Sequence, residues 1–322
     1  MDLGSAMLAG GMGQRADCFE LFARSLDPQW IQQVLVATGT ATVRRRKLPA
    51  EHVVWTVMGM GLFRDRSIQE VVRHLDLVLP ESETSASRPT ITGGAVVQGR
   101  DRLGAAPLAQ LFELTAHHWA THSADSHRWR GLAVYGVDGS TLRVPDTTDN
   151  QASFGRPGSS RGAAAYPQLR LVALMVLRSH LLAGMTIGPW ASSELTLAQP
   201  LWAKVPDRCL IILDRGFLSY SLLHGLYAGG VQRHWLIRAK ANLKWQTLKR
   251  LGPHDHLVEI TVPRQAHRAH PELPETMQVR AIGYQRRGFR PQTLVTSLLD
   301  PVTYPAGEIA ALYHERWELE LG

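Results

Sequence analysis

Over the first 130 residues, apolar positions recur at helical spacing. Phe19, Leu21, Phe22 and Leu26 form one patch, and Ile31, Val34 and Leu35 a second. Pro49-Ala50-Glu51 reads as a helix start, with Val53, Val54, Val57 and Met58 continuing on one face. Ser67 and Glu70 have the spacing of a capping box ahead of the stripe Ile68, Val71, Val72, Leu75. Residues 81–94, rich in Ser, Thr, Pro and Gly, read as a loop or linker, and a further helix is predicted over Leu108–Thr121.

The pattern changes near Leu132. Residues 132–137, 169–177 and 181–187 read as strands, the last two joined by a short turn. Cys209–Leu213 is an unbroken apolar run suited to a strand buried on both faces. Helices are predicted over 193–203 and 217–227, so strands followed by helices point to an α/β core. From about 233 to 299 the chain reads as β-rich and basic, and residues 306–321 return to helical spacing.

Composition narrows the function classes. A chain of 322 residues with 44% hydrophobic and 20% charged residues is not a disordered one and has room for two domains. Two cysteines exclude a disulfide framework and a Cys-rich zinc site. Lys plus Arg exceed Asp plus Glu by 35 to 28, a net +7 that favours a polyanionic partner. No apolar run reaches the roughly 18 residues of a membrane helix, and no signal peptide is read, so a cytoplasmic protein is expected.

Three acids then stand out. Asp138 follows an apolar strand, although Asp138-Gly139 between alternating apolar residues is also a hairpin-turn signal. Asp214 follows the buried run at a strand's carboxyl end, where open α/β sheets place ligands; a helix N-cap is the plainer reading. On a helical wheel from Tyr313, Glu320 falls near the apolar face with Trp317, while Glu315 and Glu318 fall on the solvent side. The alternative for Glu320 is an i,i+4 pair with Arg316. Three converging carboxylates repel one another by about 4 kcal/mol per pair at an effective dielectric of 20, unless divalent cations neutralise them. Two such ions suit phosphodiester chemistry.

Basic residues supply the complement. Arg44-Arg45-Arg46-Lys47 is a compact run, and the β-rich segment carries Arg238, Lys240, Lys244, Arg290 and others, with Trp235 and Trp245 interleaved. The tryptophans are read either as base-stacking or as core. Histidine pairs such as His118 and His122 lack a third ligand at a recognisable spacing, and no phosphate-binding P-loop occurs.

The strings GVDGSTLRVPDT, LDRGF and YHERWELE, in that order, resemble the DDE transposases of the insertion sequence four family. Tyr313, Arg316 and Glu320 match the family's Y-x2-R-x3-E signature, and VRRRKLPAEHVVWTVMGMGLFRDRSIQEVV is similar to its N-terminal domain. The resemblance implies an RNase H-like catalytic core over 131–322 with a β-rich insertion at about 233–302. A helical DNA-binding domain over 1–130 would precede it. It implies Asp138, Asp214 and Glu320 as a catalytic triad holding Mg2+, with Mn2+ able to substitute, and Tyr313 and Arg316 as residues that position DNA. Arg44, Arg45, Arg46, Lys47, Arg215, Lys240 and Lys244 join the expected DNA-binding set. The expected partners are the element's terminal inverted repeats and target DNA, with a homodimer in the synaptic complex, no membrane, and a cytoplasmic, nucleoid-associated location. The expected reaction is cleavage and strand transfer by a cut-and-paste route. The signature's further x6-K lies past Gly322, so the sequence leaves open a second reading, a truncated and inactive transposase acting as a DNA-binding remnant or inhibitor.

Overall fold

The computed structural model describes residues 21–42, 48–78, 91–159, 162–163, 165–285 and 290–317. Arg44, Arg45, Arg46, Lys47 and Glu320 lie outside the described residues. The chain divides into two compact units, Met1–His118 and Trp119–Gly322.

The described secondary structure of the first unit is helical: α1 (Pro28–Ala37), α2 (Ala50–Leu62), α3 (Ile68–Val78), α4 (Gly93–Leu103) and the start of α5 (Ala106–Ser126). Local chemistry sets several of the starts. Asp27 accepts from the Gln29 amide at the head of α1. Ahead of α3, Glu70 accepts from the amide and hydroxyl of Ser67, and the Glu70 amide donates back to Ser67 Oγ. These bonds hold the Glu70 carboxyl below its ordinary pKa. Glycines let the helices approach closely: a Cβ on Gly99 would meet Val53 and Leu48, at 3.0 and 3.1 Å. α4 is a correction to the sequence reading. It starts at Gly93, capped by Thr92, where the two glycines read as the end of a loop.

The second unit is mixed α/β and built on one nine-stranded sheet, in the order β5-β4-β1-β6-β7-β11-β10-β9-β8. Its strands are β1 (Ala133–Arg143), β4 (Gln168–Val176), β5 (Leu181–Pro189), β6 (Cys209–Leu213), β7 (Arg233–Arg238), β8 (Gln246–Gly252), β9 (Asp255–Thr261), β10 (Thr276–Tyr284) and β11 (Gln292–Thr296). A two-stranded ribbon, β2 (Gly158–Ser159) with β3 (Gly162–Ala163), lies apart from it. β1, β6 and β7 are parallel; the remaining pairings are antiparallel. All five residues of β6 are fully buried, which contributes on the order of 10 kcal/mol from apolar burial.

Alternation along β1 separates two cores. Ala133, Tyr135 and Val137 pack with Leu222, Leu223 and Leu226 of α8 (Tyr220–Ala228). Leu132 and Val134 pack with Ile309, Leu312 and Tyr313 of α10 (Ala306–Tyr313). In the chain, α6 (Thr148–Phe154) and α7 (Glu194–Ala198) precede α8, and α9 (Arg264–Ala269) lies between α8 and α10.

Two readings become specific here and one changes. The basic β-rich segment, expected as an insertion at about 233–302, continues the core sheet. β7 lies in the parallel core beside β6, and β11 pairs with β7, so β10, β9 and β8 extend the same sheet. Trp235 is core at 1% exposed, whereas Trp245 is exposed. The terminal helix is not continuous over 306–321. It is α-helical to Tyr313 and tightens to a 3-10 turn over His314–Trp317. At about 120° per residue rather than 100°, Arg316 comes round to the direction of Tyr313. Arg316 is therefore buried, whereas Trp317, which the wheel sets on the apolar face, is 51% exposed.

Candidate active site

Register fixes two of the acids relative to one another. Val137 of β1 pairs with Leu213 of β6, and Leu213 pairs with Ile237 of β7. Asp138, Asp214 and Arg238 therefore follow three residues aligned across neighbouring parallel strands. This is the carboxyl edge at which open sheets bind ligands.

Asp138 lies inside β1, paired with Ala173 of β4, and not in a turn. Its Oδ1 accepts from the Gly139 amide at 2.8 Å. The glycine has a packing reason. A Cβ at position 139 would meet the Glu194 side chain at 2.6 Å, so only glycine lets that side chain lie against the strand. The Asp-Gly pair that reads as a hairpin signal is thus a close approach. Asp214 fulfils the plainer reading as well as the edge position: it caps the 3-10 turn Arg215–Phe217 and accepts from the Gly216 amide at 3.3 Å.

The 3-10 turn after α10 brings its basic residue to the same edge. Arg316 Nη1 lies 3.9 Å from Asp138 Oδ2, with the guanidinium stacked 4.5 Å from the centre of the Trp317 ring. Both ends of this helical segment are tied down. The Arg130 guanidinium donates to both oxygens of Glu308, and Arg178 donates to both oxygens of Glu315 at 3.0 Å each. Glu315, expected on the solvent side, is the residue that anchors the turn.

A cavity of about 600 Å³ opens beside Asp214, lined also by Arg215, Arg238, Arg290, Tyr313 and Arg316. Tyr284, Gln292, His314 and Trp317 complete its wall. The Tyr284 hydroxyl donates to Gln292 Oε1 at 2.9 Å, and Arg238 donates to the same oxygen at 3.4 Å. The Tyr284 ring meets His314 edge-on. Burial pushes the Tyr313 hydroxyl up to about 12; the charge of Asp214 adds to this and the Arg316 guanidinium opposes it. Tyr313 therefore stays a neutral donor at ordinary pH.

The fold thus brings together Asp138, Asp214, Arg215, Tyr313 and Arg316. It does not bring Lys240 or Lys244 to the cavity wall. Both are exposed in the stretch after β7, where Lys240 donates to the Leu218 carbonyl at 3.2 Å. Among the described residues no group of three or more His, Cys, Asp or Glu could hold a metal ion, and the third expected carboxylate, Glu320, is outside them. Sequence reasoning counted Arg238 and Arg290 only as part of a basic surface and missed Tyr284 and Gln292. A signal for Arg238 was present: it ends the apolar run Trp235-Leu236-Ile237 as Asp214 ends Cys209–Leu213.

Chemically, the edge offers hard oxygen donors on neighbouring strands and a ring of guanidiniums that match phosphate oxygens. Among the described residues no helix is long and apolar enough to cross a membrane.

Comparison with known proteins agrees with this chemistry. Residues 17–113 match the family described as insertion element 4 transposase N-terminal, and residues 129–322 match the transposase DDE domain. The chain is similar to the transposase InsG for insertion sequence element IS4 of Escherichia coli (strain K12), 37% identical over 298 residues, covering 92% of this chain. It spans 66% of that relative's length. It is also similar to the putative transposase InsZ of the same strain, 37% identical over 225 residues, covering 70% of this chain and 73% of the relative. Among solved structures, a piggyBac transposase synaptic complex with hairpin DNA aligns over 95% of this chain and 66% of its own. That alignment has a TM-score of 0.42 and 12% identity. By its sequence matches, the chain belongs to the insertion element 4 family of DDE transposases.

Proposed function

We propose that the chain is the transposase of an insertion sequence, binding the element's ends and catalysing metal-dependent DNA strand cleavage and strand transfer. The observation that carries this is the placement of Asp138 and Asp214 at one edge of neighbouring parallel strands, with Arg316 against Asp138 and arginines around the adjoining cavity. The same sheet supports an RNase H-like reading of the core. A first strand flanked on one side by two antiparallel strands and on the other by two parallel ones runs through β5-β4-β1-β6-β7. In this reading residues 131–322 are catalytic, with the strands after β7 as an insertion.

The donor set fits a hard divalent cation. Asp138 and Asp214 offer carboxylate oxygens only, and Mg2+ favours a few carboxylates while keeping room for phosphate oxygens. Mn2+, which suits carboxylate ligands too, can substitute. Glu320 would complete the set. Such a cation, when bound, supplies activation of the attacking oxygen and charge neutralisation at the leaving one. The chain's own residues do the rest. Tyr313, neutral and buried at the cavity, donates to a phosphate oxygen, and Arg316, Arg215, Arg238 and Arg290 hold the DNA backbone beside the acids. Residues 1–130 recognise the element's ends, with Arg44, Arg45, Arg46 and Lys47 on phosphates. Lys240 and Lys244 extend the basic track to flanking or target DNA. Two copies of the chain form the synaptic complex, acting in the cytoplasm on the nucleoid.

The test is nicking of cognate end DNA with Mg2+ or Mn2+. Cleavage should require the cation and be lost in Asp138→Asn and in Asp214→Asn. Cleavage that persists in both variants overturns the assignment.

A further inference from the structure

We propose that Arg316 is an electrostatic placeholder for the divalent cation at Asp138, so that cation affinity rises when DNA phosphate engages the guanidinium. This rests on Asp138 and Asp214 being the cation site, as proposed above.

The argument begins with distance and confinement. Arg316 Nη1 stands 3.9 Å from Asp138 Oδ2, and its side chain is 9% exposed against 32% for the aspartate. The guanidinium cannot leave cheaply. It is stacked on Trp317, and its 3-10 turn is anchored by the two-pronged bond between Arg178 and Glu315. At 3.9 Å the contact is long for a charge-assisted hydrogen bond, so Arg316 acts on Asp138 chiefly through its charge.

Charge balance then orders the ligands. In the DNA-free protein Arg316, Arg215, Arg238 and Arg290 face the same cavity as Asp214, next to Asp138. A dication approaching Asp138 meets a confined positive charge a few ångströms away, whereas a phosphate approaching Arg316 is attracted. Once phosphate oxygens accept from Arg316, its charge is compensated and the repulsion on the cation falls. By linkage the effect is reciprocal: DNA tightens cation binding and the cation tightens DNA binding by the same factor. The consequence is a site that loads its cation on DNA rather than in the free protein, which limits idle hydrolysis.

The experiment measures Mn2+ binding to the full chain by electron paramagnetic resonance, without turnover. Asp138→Asn serves as the blank, with and without a short duplex DNA of mixed sequence. Arg316→Gln should bind Mn2+ at least about fivefold more tightly than the unaltered chain in the absence of DNA, and DNA should no longer tighten it. Arg316→Lys, which keeps the charge, should stay close to the unaltered chain. Equal affinities for folded Arg316→Gln and the unaltered chain overturn the proposal. Should Arg316→Gln fail to fold, the unaltered chain decides alone: Mn2+ affinity that DNA leaves unchanged or weakens overturns the proposal, and tightening supports it. Absence of any Mn2+ binding sensitive to Asp138→Asn overturns the cation site itself and this inference with it, an outcome distinct from binding that is present but indifferent to Arg316.

Discussion

The second unit contains two aspartate–arginine pairs that differ in nearly every respect. Asp255 on β9 and Arg280 on β10 are diagonal neighbours across the strand pair, with no solvent access at the guanidinium. Arg280 donates to both Asp255 oxygens, at 2.7 and 2.6 Å, and also to the carbonyls of Leu298, Asp300 and Tyr304. Every prong is committed, and the last three bonds fix the turn that leads into α10. Asp138 and Arg316 meet only at 3.9 Å beside a cavity, with the aspartate one-third exposed. The first pair can accept no ligand without breaking the fold. The second lies where a ligand can reach its aspartate. Identical chemical groups thus serve as a rivet in one place and, on the proposed function, as a binding edge in the other, and burial with bond saturation decides which.

The comparison breaks most directly at the rivet. Arg280→Met leaves an uncompensated buried carboxylate and should cost about 3–5 kcal/mol of the stability of the second unit, measured by denaturant unfolding. Adding Asp255→Leu should recover much of that loss, because no lone charge then remains buried. A cost for Arg280→Met below about 1 kcal/mol would mean that the pair is no rivet.

At the binding edge the expected effects are inverted. Asp138→Asn should change stability by less than about 1 kcal/mol, because the aspartate is one-third exposed and its contact with Arg316 is long, at 3.9 Å. On the proposed function it should lower DNA cleavage by at least about 100-fold, the upper end of what loss of even an outer-shell partner of a metal costs. Stability that falls as far as in Arg280→Met would place Asp138 in the structural class instead.

The two pairs were also unequally legible in the sequence. Asp138 and Asp214 stand out because each interrupts an apolar strand pattern, and the unbroken run of β6 announces a strand buried on both faces. Asp255 and Arg280 sit in a segment whose alternation is weak and whose basic composition reads as surface. Nothing local shows that two strands pair Ile282 with Asp255 and Arg280 with Leu257. Tyr284 and Gln292 escaped notice for the same reason, since cross-strand neighbours depend on register. Trp317 was misplaced because the wheel assumes one helical period throughout. The 3-10 turn after Tyr313 carries Glu315, which Arg178 holds from 137 residues away, a contact no local pattern shows.

Alkaline titration sharpens the contrast between cavity and core. An unfolded tyrosine ionises near 10, whereas Tyr313 in the folded chain is pushed up to about 12, chiefly by burial. The neutral form is favoured in the native state. The stabilisation is therefore fully present below pH 10 and lost as pH rises through 12. A two-unit displacement corresponds to about 2–3 kcal/mol. Tyr135 and Cys209 in the core are raised in the same direction by burial and set a common background. The Tyr313→Phe chain should accordingly lose less stability between pH 10 and 12 than the unaltered chain. Identical pH profiles would show that Tyr313 is already open to solvent.

The smallest expected effect concerns the exposed lysines, where neither the rivet nor the edge is involved. Lys244 is exposed, whereas Lys240 already spends one donor on the Leu218 carbonyl. If both touch phosphates, each Lys→Ala change should reduce the slope of log K against log salt by about 1, with affinity falling similarly for all sequences. Lys244→Ala should show this in full and Lys240→Ala less, since its ammonium is partly held by the protein. Neither should alter cleavage once DNA is saturating, because neither lines the cavity. Arg238→Ala, which removes a proposed phosphate contact inside the cavity, should reduce the slope by a similar amount and also lower cleavage at saturation. An unchanged slope in both lysine variants would confine phosphate contact to the cavity and the N-terminal unit. The β-rich extension would then act through the rivet, holding α10 against the sheet, rather than through its charge.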